Sequence, residues 1–186
     1  MGQVRLVWID LEMTGLNSDH DVILEVAVIV TGPDLKPLAQ IERVVFQPED
    51  VLTRMSAKVR EIHTANGLLE EVRTRGLDMR VVERDVLKVI SAHTGAGQGL
   101  LCGRSVHHDW KFLVKYMPRL EQHLHFQRVD VSTFGVLVDA WFPGLPQPVT
   151  RTNHRALADV QAGLEELRFY CEKAFRVDLE RVAAAR

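Results

Sequence analysis

The chain has 186 residues, 46% of them hydrophobic and 26% charged, a balance that excludes a disordered or low-complexity polymer. At this length roughly 70% of the unfolded chain's surface can be buried, enough for one self-sufficient domain over residues 1–186 without covalent staples. Twenty-five acids against 23 lysines and arginines give a net charge of −2, which argues against a protein held on long nucleic acid by bulk charge but leaves a short single strand open.

The opening residues, Met1 to Trp8, lack the charged region, apolar run and small cleavage site of a secretory leader. Leu6 stands where an acylation signal behind Gly2 needs Ser or Thr. Val4–Asp10 is apolar and β-rich and predicts a buried strand. Ile23–Val30 is a second such run, closed by the turn signal Thr31-Gly32-Pro33-Asp34. The short connection makes Leu38–Phe46 a third strand antiparallel to the second.

Met55–Ile62 and Leu68–Val72 predict short helices, and Met79–Ala92 a longer one with Val82, Val86, Val89 and Ile90 on one side. A glycine-rich loop over 95–99 precedes a short strand, Leu100–Cys102. Ser105 is placed to cap a helix running to about Met117, and Ser132 to cap another after a short strand over Arg128–Val131. The prolines of 143–148 demand an exposed loop. Leu157, Val160, Leu164, Leu167 and Cys171 then step by three and four along one long helix, and the tail after about Arg176 is expected to be loosely packed.

Three strands followed by helices alternating with single strands give an α/β protein, a mixed sheet flanked by helices. Cys102 and Cys171 are too few for a disulfide scaffold or zinc cluster and read as small apolar residues in a reducing compartment. No apolar run approaches the roughly 20 residues of a membrane span, so the expected location is cytoplasmic and away from membrane.

The chemistry lies in the carboxylates. Asp10 and Glu12 are two residues apart at the end of the first strand, so they share a face with Cα atoms about 7 Å apart. Two acids so close repel unless a proton or a hard divalent cation lies between them; a solvated strand end is the ordinary alternative. Asp109 lies three and four residues from Val106 and Leu113 on its helix, beside the buried seam, where a favourable helix-dipole contact would be the ordinary explanation.

Asp159 is set into an apolar stripe with small Ala156 and Gly163 at i−3 and i+4. A carboxylate there is costly unless it is paired or ligates a metal. His154, five residues earlier, would be about 140° away on an ideal helix. The two converge only if His154 precedes the helix, where an imidazole beside a metal-binding aspartate suits a general base. His107, His108, His123 and His125 read as surface histidines without zinc spacing.

Together these residues resemble the DEDD exonucleases with a histidine base, which share an RNase H-like fold, and within them the oligoribonuclease family. The resemblance rests on Trp8-Ile9-Asp10-Leu11-Glu12-Met13-Thr14-Gly15-Leu16, on His63-Thr64-Ala65 with Gly67-Leu68, and on Cys102-Gly103 with Ser105 and Asp109. It continues through Phe112-Leu113, Lys115-Tyr116-Met117-Pro118, Asp130-Val131-Ser132-Thr133 and His154-Arg155-Ala156-Leu157 with Asp159, covering about Arg5 to Phe175.

The resemblance implies an RNase H-like five-stranded sheet. It implies that Asp10, Glu12, Asp109 and Asp159 hold two Mg²⁺ or Mn²⁺ ions while His154 takes a proton from the attacking water. It also implies release of nucleoside 5′-monophosphates from the 3′ ends of short single-stranded oligonucleotides, dinucleotides above all. Leu16 is then expected to wedge against the bases, His63, Ser105 and Ser132 to line the substrate, and a homodimer to form near the Asp130 strand.

The chain departs from the family where Phe126-Gln127 replaces the usual Tyr-Arg, Lys58 a Trp, Arg104 an Asn, and Trp110-Lys111 an Arg-Arg. The Tyr-Arg pair helps cap the substrate's 5′ phosphate, and a neutral Gln127 lacks the guanidinium's two-pronged grip. The expectation is intact metal chemistry with a remodelled far end, served by Arg104, Lys58 or Arg128, or a preference for deoxydinucleotides. The rival expectations are a proofreading or tRNA-trimming exonuclease on longer strands, and an inactive nucleotide-binding module.

Overall fold

The computed structural model describes residues 4–148 and 153–184. Met1 and Gly2 therefore lie outside the described residues, as does the end of the tail. Five strands form one sheet: β1 (Arg5–Met13), β2 (Ile23–Thr31), β3 (Pro37–Val44), β4 (Gly99–Gly103) and β5 (Leu124–Asp130), in the order β3-β2-β1-β4-β5. The first three are antiparallel, joined by short loops, whereas β4 and β5 run parallel to β1 after long crossovers. This is the expected mixed, helix-flanked sheet.

Alternation along β1 assigns its side chains to two cores. Val7, Ile9 and Leu11 pack with Val82, Val86 and Ile90 of α4 (Met79–Ser91), and with Phe112 and Leu113 of α5 (His107–Tyr116). Leu6 and Trp8 face the other way, onto Val160, Leu164, Leu167 and Tyr170 of α8 (Ala156–Lys173) and Val138 of α7 (Val131–Trp141). Trp8 is fully buried and donates its indole N–H to Thr31 Oγ1 at 3.1 Å. A third cluster joins Leu24 and Val44 to Leu52 of α1 (Glu49–Leu52), Met55, and Leu68, Leu69 and Val72 of α3 (Leu68–Arg75). The helix α2 (Ala57–Ala65) opens on Ser56, whose hydroxyl accepts from Val59 N–H.

Several boundaries differ from the sequence expectation. Strand β1 does not stop at Asp10: pairing with β2 continues through Glu12↔Glu25 before a register shift. Strand β5 starts at Leu124, after a short helix α6 (Pro118–His123) with Pro118 in its first turn, which the apolar pattern did not single out. The tail carries a short helix, α9 (Leu179–Ala184), with Leu179 packed against the second core.

Neither serine caps as expected. Ser105 takes a left-handed backbone (φ 50°), and its N–H donates to Asp130 Oδ1 (2.9 Å) and Ser132 Oγ (3.1 Å); α5 starts two residues later, behind Val106. The cap of α7 is Asp130, whose carboxylate accepts from Ser132 N–H. A carboxylate two residues upstream outcompetes the serine hydroxyl, and Ser132 becomes part of the helix.

Gly103 is required by the join between β4 and β1. A Cβ at that position would stand 2.9 Å from the Ile9 carbonyl oxygen, a backbone atom that cannot move aside. Gly103→Ala should therefore destabilise the protein by about 1–3 kcal/mol in chemical denaturation, the usual range for overpacking. An unchanged denaturation midpoint would show that β4 can part from β1 freely.

Candidate active site

The alternation that puts Trp8 against α8 carries Asp10 and Glu12 to the same side two and four residues later. Their partners across β2 are Ala27 and Glu25, so Glu12 and Glu25 are neighbouring acids on one face. Helix α8 crosses this face with Asp159 in its first turn. Gly163, one turn on, gives the space that the stem of Arg104 occupies.

His154 precedes the helix, with φ 54°, and so escapes the 140° separation that a continuous helix would impose. The result is that ligand atoms of Glu12, His154 and Asp159 all lie within 4.8 Å of one another. A cleft of about 300 Å³ is lined by these three together with Asp10, Leu16 and His63, with Val59 and Ile62 as its apolar wall.

Asp109 reaches the same strand from the other side of the sheet. Parallel pairing between β1 and β4 ends at Trp8↔Cys102, which leaves the Leu11 N–H without a partner on β4. Asp109 Oδ1 accepts that N–H at 3.0 Å. Asp109 is not among the walls of the cleft, yet its charge acts on Asp10 more strongly than that of any other acid around it. Asp10, Glu12 and Asp159 thus line the cleft, while Asp109 sits outside its walls on the Leu11 N–H.

Burial and mutual repulsion favour protons on this cluster. Asp10 is pushed well above the usual carboxylate range by burial, then by the charges of Asp109, Glu12, Asp159 and Glu25. Burial, then Asp159, Glu25 and Asp109, raise Glu12 to about 8, with Arg155 pulling the other way. Burial raises Asp109 to about 7 against the bond from Leu11 N–H, and raises Asp159 against the charges of His154 and Arg104. Among the described residues, one buried oxygen of this cluster, Asp159 Oδ1, has no hydrogen-bond partner. Clustered oxygen donors, one of them unsatisfied, fit a hard divalent cation better than they fit each other.

The expected substrate-lining residues fall into two groups. Leu16 is 64% exposed at the mouth of the cleft. Its loop is fixed by Thr14 and Asp21, which bond each other at 3.0 Å, and by α5, whose Tyr116 hydroxyl donates to the Asp21 carbonyl at 2.7 Å. His63 is buried in the cleft wall; its Nε2–H donates to the Met13 carbonyl at 3.0 Å, and burial lowers its proton affinity. Ser105 and Ser132 are not among the cleft walls; their hydroxyls lie 3.3 Å apart at the ends of β4 and β5.

The three cations expected to serve the far end all have partners. Arg104 Nε lies 3.0 Å from Glu166, Lys58 Nζ 3.8 Å from Glu61, and the Arg128 guanidinium 3.9 Å over the Trp110 ring.

Sequence reasoning missed Glu25, Arg155, Glu71 and Asn66. Glu25 is fully buried, and its carboxylate accepts from Arg155 Nη2 (2.6 Å) and from the Ala156 N–H (2.8 Å). The signal was present: a lone acid inside an otherwise apolar strand needs a cation from elsewhere in the chain.

Fold and site together define an exonuclease. The RNase T exonuclease family model matches residues 7–167. Among solved structures, Exonuclease I of Methylocaldum szegediense superposes with a TM-score of 0.74 at 19% identity over 98% of this chain. The zinc-bound E. coli ExoI–ssDNA complex does so with 0.75 at 17% over 97%. At these identities the likeness is one of fold, and this chain spans only 43% of either of those.

The chain belongs to the oligoribonuclease family. It is 37% identical to the human mitochondrial oligoribonuclease, over 95% of this chain and 76% of that one. It is 41% identical to the Neisseria meningitidis oligoribonuclease, over 90% and 91%, and 39% identical to that of Nitrosomonas europaea, over 93% and 97%.

The raised carboxylates set a pH dependence. Glu12 moves from an ordinary 4.5 to about 8 and Asp109 from 3.8 to about 7, so the folded state binds more protons than the unfolded one across that window. Their contribution to stability is therefore full below about pH 4 and lost as pH rises to about 8. In chelator, the melting temperature should fall between about pH 5 and pH 8, and Mg²⁺ or Mn²⁺ should restore it most at the upper end. Glu12→Gln should flatten the fall, and a metal-free profile already flat in the parent protein would contradict the coupling.

Proposed function

We propose that this protein is a 3′-to-5′ exonuclease that hydrolyses very short oligonucleotides, dinucleotides above all, to nucleoside 5′-monophosphates. One observation carries the proposal: Glu12 of β1 and, about 140 positions on, His154 and Asp159 bring their ligand atoms within 4.8 Å in a small cleft beside Asp10. Asp10, Glu12, Asp109 and Asp159 are the residues that would hold two Mg²⁺ or Mn²⁺ ions. Bound there, the ions would offset the charge that develops on the phosphoryl group and on the attacking and leaving oxygens.

The chain's own groups divide the remaining work. His154 takes a proton from the attacking water, its imidazole held beside the carboxylates of Glu12 and Asp159. Leu16, exposed at the mouth of the cleft, lies against the bases, with Val59 and Ile62 as the apolar wall behind. His63 closes the inner wall. Ser105 and Ser132 offer hydroxyls to the substrate's 5′ phosphate. A cleft of about 300 Å³ is at the small end of ligand sites and suits a substrate of one or two nucleotides.

Exposed Phe126, Val136 and Trp141 on β5 and α7 support a homodimer through that edge. The cytoplasm is the proposed location. It fits two unpaired cysteines and, among the described residues, the absence of any helix long and apolar enough to cross a membrane.

Release of mononucleotides from 5′-phosphorylated RNA and DNA, two to seven nucleotides long, tests the proposal. The rate should be highest on dinucleotides and fall steeply with length. Asp10→Ala should abolish turnover, and His154→Ala should lower it roughly 10²–10⁴-fold while metal still binds. A rate that holds or rises with length would favour a longer-strand exonuclease. Metal binding without any release would reduce the protein to a nucleotide-binding module.

A further inference from the structure

We propose that Arg155, braced by Glu25 and Glu71 and assisted by Asn66, is a positioning residue that fixes His154 for proton transfer. The inference rests on the assignment of His154 as the base. It starts from a conformational fact: His154 has a β-carbon yet adopts φ 54°, a left-handed backbone that persists only where the surroundings over-determine it.

Two grips flank that residue. On one side, the Asn66 amide donates to the carbonyls of Asn153 (3.2 Å) and His154 (2.5 Å). Asn66 is itself held at the end of α2, where its Oδ1 accepts from Leu68 N–H. On the other side, the Arg155 guanidinium uses two of its edges. Nε and Nη2 bind Glu25 at 3.1 and 2.6 Å, while Nη2 and Nη1 reach Glu71 at 2.7 and 3.4 Å. Glu25 also takes the first N–H of α8, from Ala156.

The backbone of His154 is thereby tied to β2, α2 and α3 at once. A helix start alone would need much less. Ser, Thr, Asp or Asn in place of Arg155 would satisfy a free N–H of the helix's first turn from within the segment, and a fully buried glutamate from another strand would not be needed to start the helix. A planar guanidinium with a fixed fork can bridge two carboxylates on different elements, which a lysine ammonium cannot do with the same rigidity.

The test compares Arg155→Lys and Glu71→Gln in the parent protein and in His154→Ala. Each is assayed for kcat and KM on a 5′-phosphorylated dinucleotide with Mn²⁺, for Mn²⁺ affinity, and for melting temperature. Arg155→Lys should lower kcat on the order of 10–100-fold, the scale of a small misplacement of a catalytic group, with little change in KM or Mn²⁺ affinity. Glu71→Gln, which keeps the Glu25 pair, should show the same pattern more mildly. In the His154→Ala background neither should lower the rate further, because no base remains to be positioned.

Equal losses in both backgrounds, an unchanged kcat, or a loss confined to metal affinity would overturn the positioning role while leaving His154 as base. Full turnover by His154→Ala alone would overturn the base assignment, and this role with it. Should Arg155→Lys fail to fold, the same comparison read on Glu71→Gln decides the matter.

Discussion

Repulsion among carboxylates gathered at the end of β1 is the constraint around which the site is arranged. Asp10, Glu12 and Glu25 are sent to one face by strand alternation and antiparallel register, and Asp159 is lowered onto them by α8. Their charges are costly in a partly dry environment. The chain answers in two ways. Glu25, the most buried, receives the Arg155 guanidinium and a helix N–H. Among the described residues the others receive no comparable ion pair, and burial and mutual repulsion raise their proton affinity. A cluster built this way is an incomplete salt bridge, and a divalent cation is the species that completes it.

Topology explains why the cluster forms at this point. Strands β1 and β4 are parallel and diverge after Trp8↔Cys102, so the backbone of β1 beyond that pair loses its neighbour. Open sheets offer ligand sites where strands part at their carboxyl ends. Here the freed Leu11 N–H is taken by Asp109, so that one hydrogen bond both satisfies the strand edge and holds a fifth acid beside the cluster. The same helix anchors the Leu16 loop through Tyr116 and through Lys115, which donates to the Ser18 and Asp19 carbonyls. Helix α5 therefore links the acid cluster to the segment at the mouth of the cleft.

Much of this was legible because the relevant physics is local. A two-residue repeat is enough to put Asp10 and Glu12 on one face, and small residues around Asp159 are enough to mark a close approach. The 140° mismatch between His154 and Asp159 shows that the two converge only if His154 precedes the helix, as it does. What stayed hidden depends on pairs far apart in the chain. Glu25 and Arg155 are 130 positions apart, and periodicity says nothing about which cation finds a buried acid. Ser105 and Ser132 carried a genuine cap signal, but Asp130, which lies between them in the chain, took both backbone N–H groups. Local propensity lost there to a stronger acceptor supplied by the tertiary fold.

The far end of the site shows the same competition from the opposite direction. In β5, Arg128 pairs with Leu101 of the first core and Val129 with Cys102 of the second. Alternation therefore turns Arg128 onto the α5 side of the sheet, where it covers Trp110, while the acids of β1 face α8. Trp110 in turn donates its indole N–H to Glu121. An arginine one position along from Gln127 is thus no replacement for a guanidinium at 127, because a one-residue step in a strand changes the face. Arg104 lies on the correct face but is engaged by Glu166, whose other oxygen accepts from the Tyr170 hydroxyl. Ser105 and Ser132 themselves present neutral hydroxyls backed by Asp130, whose carboxylate accepts both of their backbone N–H groups. Strand geometry and the Glu166 pair thus commit Arg128 and Arg104 away from the two serine hydroxyls.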